Sequence, residues 1–331
     1  MTSNASFAAP PWEAAAALLR AASRVLLIAH VSPDGDALGS TLALTLALRA
    51  QGKHAVPACQ DQPHPRFGFL PSVHEIRQAL PLGEAFDLIV ALDGSDAARM
   101  GTIYQPAQHA SLPLLVIDHH ITNTRFGTVN LVDPSAASTA EIVFALLKRM
   151  DAPITPEIAN ALLTGVVTDT QAFRTSNTTP QTLAVAMELM QLGGNLQEVT
   201  RQALVLRTFD SLRLLGAGLM SAKVEDRVAY AALPQKLREE LGVREERGDG
   251  GLVGMLISAY EVDIAAVFVE LPNGEVEVGL RAQPGFDVAQ VAFEMGGGGH
   301  PAAAGCTLPG PLREAVNRLL PRLKQAAREQ R

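Results

Sequence analysis

The chain has 331 residues, of which 47% are hydrophobic and 18% are charged, so it can bury a substantial core and is unlike a disordered protein. This length favours two domains over one. The net charge of −7 excludes a global basic surface for long nucleic acid, although local arginines or bound cations could still attract a small anionic substrate. The two cysteines, Cys59 and Cys306, indicate no disulfide framework and fit a reducing compartment.

Neither targeting nor membrane insertion is indicated by the sequence. The stretch before Arg20 lacks a basic segment followed by an apolar core, which is the pattern of a signal peptide. No apolar run reaches the roughly 18 to 20 residues that span a bilayer. We therefore expect a cytoplasmic protein without membrane association.

The first part of the chain alternates predicted strands with predicted helices. Strands are predicted at residues 25–29, 54–58, 86–92, 112–117 and, more briefly, 129–132. Helices are predicted at 12–22, 37–50, 138–150, 156–167 and 179–192. Such alternation is typical of an α/β fold, with a largely parallel sheet that helices cover on both faces.

The second part of the chain has a different pattern of predicted helices and strands. Residues 195–220 predict a charged amphipathic helix that connects two domains. The motif Pro272-Asn273-Gly274 predicts a hairpin turn between strands at 263–270 and 275–281. Helices are predicted near 251–259, at 288–295 and at 312–329. We place the domains at 1–192 and 221–331, joined by a helical connector at 193–220, and expect a smaller α+β fold in the second.

Several residues with metal-binding or acid–base chemistry follow predicted strands and helices. His30, Asp34 and Asp36 form an H-x-x-x-D-x-D motif directly after a buried strand, and Gly35 permits the tight turn that would bring them together. The alternative is a polar loop in which Asp36 only caps the next helix.

Three other element ends carry similar residues. Asp93 ends one predicted strand, Asp118-His119-His120 follows another, and Asp169 follows a helix between Thr168 and Thr170. Taken singly, Asp93 could be a turn-former with Gly94, and Asp169 could be only a cap. Their recurrence at successive element ends favours one shared site at the sheet edge where α/β proteins usually bind ligands.

This combination of side chains predicts a metal site. Carboxylates gathered in one place repel one another unless cations hold them. Mixed carboxylate and imidazole ligands suit Mn²⁺ or similar first-row ions. Two cations roughly 3.5–4 Å apart that share a carboxylate could activate a water molecule for in-line attack on phosphorus.

The four segments resemble, in the same order, the four motifs of the DHH phosphoesterase superfamily. They are residues 30–40, Asp93, Asp118-His119-His120 and Thr168-Asp169-Thr170. Residues 296–305, GGGGHPAAAG, are similar to the signature of the DHH-associated C-terminal domain of that superfamily. The resemblance covers about residues 21 to 308, and the chain's size and domain pairing are similar to the NrnA-type branch of nanoRNases and pAp phosphatases.

The resemblance implies a role for each motif position. His30 and Asp34 would hold one Mn²⁺, and the other would be held by the set Asp36, His119 and Asp169. Asp93 would bridge the two ions as part of the catalytic site. Asp118 would orient a ligand, and His120 would face the substrate, either as a phosphate contact or as a proton donor to the leaving oxygen.

Substrate-binding residues are predicted in both domains. The glycine run that contains Gly297, Gly298 and Gly299 could present backbone N–H groups to an anion, with a flexible linker as the alternative. His300 could contact phosphate or stack on a base. The resemblance implies that Arg281 grips a terminal phosphate. Arg174 is a second phosphate-binding candidate, with an ordinary surface arginine as the alternative.

The sequence departs from its relatives around Arg281. It also contains histidines to which we assign no role. Related enzymes often show Ser-Leu-Arg-Ser where this chain has Gly279-Leu280-Arg281-Ala282. Because both hydroxyl groups are missing, the details of substrate binding here are left open, although the role of Arg281 is not. We assign no role to the remaining histidines, which are His54, His64, His74 and His109.

The resemblance implies a two-lobed, Mn²⁺-dependent phosphohydrolase with two bound ions and a substrate cleft between the lobes. Its expected substrates are short oligoribonucleotides, pApA and pAp, with the cyclic dinucleotide c-di-AMP as the rival. A nucleotide-binding regulator without turnover would show a vacant motif position, and none is vacant. The expected partner is a short nucleotide, not long duplex nucleic acid or a membrane, and a homodimer is left open.

Overall fold

The computed structural model describes residues 10–81, 83–243 and 250–330. The chain divides between Leu206 and Arg207 into two compact units. This division falls inside the stretch that the sequence predicts as a connector.

The first unit is built on a sheet of five parallel strands in the order β2-β1-β3-β4-β5. The strands are β1 Arg24–Ala29, β2 His54–Ala58, β3 Leu88–Leu92, β4 Leu114–Asp118 and β5 Val129–Val132. The strand order reverses between β1 and β3, which makes their carboxyl ends the switch point where such sheets bind ligands. His30 follows β1 and Asp93 follows β3, so both lie at this point.

Apolar side chains pack on both faces of this sheet, which explains why its strands are continuously apolar. On one face they come from the 3-10 segment Ala97–Ile103 and from loops, not from α-helices as the sequence predicts. The α-helices of this unit lie mainly on the other face. They are α1 Trp12–Ala21, α2 Gly35–Ala50, α3 Pro106–His109, α4 Thr139–Arg149, α5 Pro156–Asp169, α6 Pro180–Gln191 and α7 Leu196–Thr200. Alternate strand residues enter two separate cores: Leu27 and Val90 lie in one, and Leu26 and Ile89 in the other. The parallel α/β fold that the sequence predicts is confirmed.

The expectation of one continuous helix over residues 195–220 is wrong. After α7 comes a π-helical turn, Arg201–Val205, and Leu206 then takes an extended conformation. A new helix, α8 Phe209–Ser221, begins at Thr208, whose side chain accepts a hydrogen bond from the Ser211 N–H. The hydrophobic periodicity continues across the break, but Thr208 is a favourable N-cap and starts the helix afresh.

The second unit is built on a mixed sheet of six strands in the order β10-β11-β9-β8-β7-β6. The strands are β6 Lys223–Glu225, β7 Val228–Leu233, β8 Ile264–Glu270, β9 Glu275–Ala282, β10 Gly298–His300 and β11 Ala303–Pro309. Strands β7 and β8 are parallel, and the other neighbours are antiparallel. The predicted hairpin is confirmed, because β8 and β9 pair from Glu270 and Val276 onward.

Helices also lie on this second sheet. They are α8, α9 Gln235–Glu240, α10 Leu252–Leu256, α11 Ala289–Glu294 and α12 Leu312–Glu329. One core places Phe268 and Leu280 against Leu319 and Leu323 of α12, and another places Leu214 of α8 against Leu252 of α10. The smaller α+β fold expected for this part of the chain is confirmed.

Candidate metal centre

The loop after β1 and the start of α2 position the first group of candidate ligands. His30 directly follows β1 and is 4% exposed. Asp34, not Asp36, is the N-cap of α2, because its Oδ1 accepts hydrogen bonds from the N–H groups of Asp36 and Ala37, each at 3.0 Å. Asp36 lies in the first helical turn and is fully buried. The alternative in which Asp36 is only a helix cap is therefore wrong.

Close contact between α2 and α5 brings Asp36 toward Asp169, the last residue of α5. A Cβ on Gly39 of α2 would lie 2.3 Å from the carbonyl oxygen of Ala161. A Cβ on Gly165 of α5 would lie 2.3 Å from Asp36 Oδ1. Only glycine at these two positions allows the helices to approach this closely.

Asp93 lies at the centre of the candidate site. It is 2% exposed, and its φ of 60° turns the chain sharply after β3. Its Oδ2 lies 3.6 Å from His30 Nε2, and its Oδ1 lies 3.7 Å from His119 Nε2. The backbone conformation is uncommon for a residue with a side chain and aims the carboxylate into the cluster.

Two groups of ligand atoms converge around Asp93. His30, Asp34 and Asp93 offer atoms within 4.8 Å of one another, and so do Asp36, His119 and Asp169. The distance from His30 Nε2 to Asp34 Oδ1 is 3.8 Å, and that from His119 Nε2 to Asp169 Oδ2 is 3.2 Å. The structure thus brings together all six residues proposed as metal ligands.

The electrostatics of the cluster fit bound cations. Burial, followed by the negative charges of Asp93 and Asp34, raises the pKa of Asp169 to about 8. Burial and the charges of Asp93 and Asp169 raise the pKa of Asp36 well above its usual range. Burial alone would lower the pKa of His30, but hydrogen bonds with Asp34 and Asp93 outweigh it and raise that pKa to about 10. Without cations Asp36 and Asp169 therefore tend to hold protons, whereas divalent cations would neutralise these two carboxylates directly.

Asp118 and His120 form a second pair beside the cluster. The buried Asp118 accepts a hydrogen bond from His120 Nδ1 at 2.7 Å through its Oδ1. This bond is the main reason why the pKa of His120 rises to about 9. His120 Nδ1 also lies 3.8 Å from Asp93 Oδ1, so the His120 ring adjoins the candidate metal ligands.

Three residues that the sequence did not single out hold this arrangement in place. The Thr139 hydroxyl donates to Asp93 Oδ1 at 2.7 Å, and the Thr139 and Ala140 N–H groups donate to Asp36 at 2.6 and 2.9 Å. Asn123 Nδ2 donates to Asp118 Oδ2 at 2.6 Å. The available signal for Thr139 was its place beside Ser138 at a helix N-terminus, where unpaired N–H groups attract carboxylates.

Arg174 follows a turn in which Gln171, Ala172 and Phe173 all have positive φ. Within the described part of the chain, its side chain donates one hydrogen bond, to the carbonyl of Gln171 at 3.0 Å. Arg174 thus lies in the turn that follows α5, and its guanidinium is held by the local backbone.

The remaining candidates lie in the second unit. Arg281 in β9 and His300 in β10 both pair with Ala303 of β11, so they flank this small residue in one row of the sheet. The glycine run is not wholly a loop, because Gly298–His300 forms strand β10. The positive φ expected for such a run occurs at Gly296 and Gly299.

No helix in the described ranges combines the length and the apolar character needed to cross a membrane.

Comparisons with known proteins agree with this architecture. Residues 24–166 match the model of the DHH family N-terminal domain, and residues 245–329 match that of the DHHA1 domain. A bifunctional oligoribonuclease and PAP phosphatase NrnA from Thermus thermophilus is 38% identical over 316 residues, which cover 94% of this chain and 92% of the relative. The protein of the same name from Bacillus subtilis is 28% identical, with coverage of 86% and 89%.

A solved structure shares the fold across both units. It is that of an exopolyphosphatase-related protein from Bacteroides fragilis, with a TM-score of 0.87 and 25% identity over 96% of this chain and 97% of that one. Sequence, fold and the clustered motif residues agree. The chain belongs to the DHH family of phosphoesterases, in the branch that carries a DHHA1 domain, and it is a phosphoester hydrolase.

Proposed function

We propose that this protein is a Mn²⁺-dependent nucleotide phosphohydrolase that degrades short oligoribonucleotides and dinucleotides such as pApA to mononucleotides. We further propose that it releases phosphate from pAp. The observation that carries this proposal is the convergence of six imidazole and carboxylate ligands around Asp93. The names of the NrnA relatives, oligoribonuclease and PAP phosphatase, support the choice of substrate.

The donor set supports two Mn²⁺ ions. We assign His30 and Asp34 to one ion, the set Asp36, His119 and Asp169 to the other, and Asp93 to both. Imidazole and carboxylate ligands without cysteine suit Mn²⁺ better than a structural zinc site. Two such cations would stabilise the charge of the phosphoryl oxygens and supply an activated water for attack.

His120 is positioned to transfer a proton. Its Nδ1 is fixed by Asp118, and this hydrogen bond raises the pKa of the imidazole to about 9 and so favours the protonated form. The Nε2–H group is then available to donate to a phosphate oxygen or to the oxygen that leaves. Asp118 acts through His120 as a positioning residue, since it orients the ring and stabilises its positive charge.

Substrate binding is assigned to residues of both units. Arg281, His300 and Gly297–Gly299 would bind the phosphate and base of the nucleotide in the second unit, and Arg174 would add a phosphate contact in the first. We assign catalysis to residues 1–192 and this substrate binding to 221–331. The serine that relatives often carry at position 279 would fit here, because a Cβ at Gly279 would meet no atom closer than Val253 at 4.0 Å.

The test of this function is a competition among pAp, pApA, a longer oligoribonucleotide and c-di-AMP at equal concentrations with Mn²⁺ present. We expect release of mononucleotide from pApA and of phosphate from pAp. Faster turnover of c-di-AMP than of every linear substrate would contradict the substrate assignment.

Asp93→Ala is the matched control for the site. It removes the carboxylate shared by the two ligand groups, so hydrolysis of every substrate should fall by at least about a hundredfold. Unchanged activity in Asp93→Ala would remove the bridging role. Binding of pApA without turnover by the native protein would favour the regulator instead.

A further inference from the structure

Arg99 lies beside the metal centre on the segment that follows β3. Its carbonyl accepts the Val31 N–H at 2.8 Å, and its own N–H donates to Asp96 Oδ1 at 3.2 Å. Gly101, with a φ of 56°, fits closely against this loop, since a Cβ there would lie 2.7 Å from the Val31 side chain. These contacts fix the backbone of Arg99 against the residue next to His30.

The side chain of Arg99 has one unusual partner. Its Nη2 lies 2.9 Å from His30 Nδ1. Among the residues that the structure describes, no carboxylate forms an ion pair with this guanidinium within 4.0 Å, and His30 is its one side-chain hydrogen-bond partner. An arginine stays charged at every physiological pH and carries five N–H donors, so most of its binding capacity is unused here.

Arg99 Nη2 can donate to His30 Nδ1 only while that nitrogen carries no hydrogen. His30 Nε2 is the atom that faces Asp34 and Asp93, at 3.8 and 3.6 Å. A histidine that ligates through Nε2 carries its hydrogen on Nδ1 and donates it to an acceptor. Val31 O is that acceptor, at 2.8 Å from Nδ1. With Nδ1 a donor, Arg99 loses its acceptor, and its guanidinium becomes free beside the site.

We propose that Arg99 is a further substrate-binding residue whose guanidinium binds the phosphoryl group on which this site acts. The planar fork of a guanidinium matches two phosphate oxygens, and charge-assisted bonds of this kind are strong. The proposal rests on the proposed function only in that the substrate carries a phosphate. Unlike Arg174 and Arg281, Arg99 directly contacts a candidate metal ligand.

The test measures binding of inorganic phosphate to the full-length, Mn²⁺-loaded protein by titration calorimetry, with Mn²⁺ affinity measured in parallel by electron paramagnetic resonance. Arg99→Met should raise the Kd of phosphate at least about tenfold, because the charged donor is lost. The phosphate Kd of Arg99→Lys should lie between those of the native protein and Arg99→Met, because lysine keeps the positive charge but not the planar guanidinium. Both variants should hold Mn²⁺ at least as tightly as the native protein, because no positive charge next to His30 is added.

Arg149→Met is the control for loss of a surface arginine. Arg149 ends α4 and stacks on Trp12 at 4.8 Å, whereas the opposite end of α4 contacts Asp36. Its phosphate Kd should equal that of the native protein.

An unchanged phosphate Kd in Arg99→Met would overturn the proposal. So would a weaker phosphate Kd that merely follows a loss of Mn²⁺, since Arg99 would then serve only the cation site. A native protein that binds phosphate through Arg99 yet hydrolyses no oligoribonucleotide would support this inference and refute the proposed substrate.

Discussion

At the scale of single residues, Thr139 connects two candidate ligands that are far apart in sequence. Its hydroxyl bonds to Asp93 and its N–H to Asp36. Thr139→Val keeps the shape and the backbone bond but leaves Asp93 without its hydroxyl donor. We expect Mn²⁺ affinity to fall roughly ten- to a hundredfold, as is usual when such supporting bonds are removed.

Thr139→Ser is the matched variant, because it retains the hydroxyl. The Mn²⁺ affinities of both variants are measured by competition with a chelator, and that of Thr139→Ser should stay close to that of the native protein. Equal affinities for the valine and serine variants would show that the bond to Asp93 does not support the metal site.

The raised pKa values predict how the metal-free protein responds to pH. Asp169, His120 and His30 hold their protons to about pH 8, 9 and 10, compared with ordinary values of 3.8 for Asp and 6.5 for His. Between about pH 6.5 and 9 the folded state therefore binds more protons than the unfolded state, and the free energy of unfolding falls as the pH rises.

Thermal unfolding in the presence of EDTA across this pH range checks the direction. The Tm should decrease from pH 6.5 to pH 9, and less steeply in Asp169→Asn, which cannot titrate at that position. A Tm that increases over the range would mean that these groups are not protonated as described.

At the scale of elements, the approach of α2 to α5 decides whether the cluster forms. Gly165→Ala would place a methyl group 2.3 Å from Asp36 Oδ1 and 2.5 Å from the Ala140 side chain. Overpacking of this kind costs about 1–3 kcal/mol of the free energy of unfolding, and here it would also displace a candidate ligand. Denaturant unfolding should show a lower free energy of unfolding for Gly165→Ala, and Mn²⁺ titration should show a weaker affinity.

Gly216→Ala is the control for this prediction. Gly216 lies inside α8, and a Cβ there would contact no atom within 4 Å. Because alanine favours a helix more than glycine does, the free energy of unfolding of this variant should rise by up to about 1 kcal/mol. If Gly165→Ala also became more stable, the close packing of α2 against α5 would not require glycine at position 165.

Part of the fold and site follows from local sequence signals, and part does not. His30 and Asp93 could be placed because buried strands end immediately before them. Thr139 could not, because its partner Asp36 lies 103 residues away and the contact depends on how α2 and α4 pack. Strand β10 was missed because glycine disfavours strands, and its pairing with β11 depends on backbone hydrogen bonds.

At the scale of the whole molecule, the candidate metal ligands and the apolar cores are separate. The candidate ligands lie at the ends of strands and helices, whereas the two cores of the first unit consist of apolar side chains. Removing cations with EDTA should therefore abolish hydrolysis while leaving the far-ultraviolet circular dichroism spectrum nearly unchanged. Loss of the helical signal would show that the cations hold the fold itself.

In the proposed mechanism, two cations bind in one cluster and share Asp93. Anomalous X-ray diffraction from Mn²⁺-loaded crystals, recorded at the manganese edge, tests this most directly. We expect two peaks roughly 3.5–4 Å apart, one beside His30 and Asp34 and the other beside His119 and Asp169, with Asp93 between them. A single peak, or peaks away from these residues, would contradict the account.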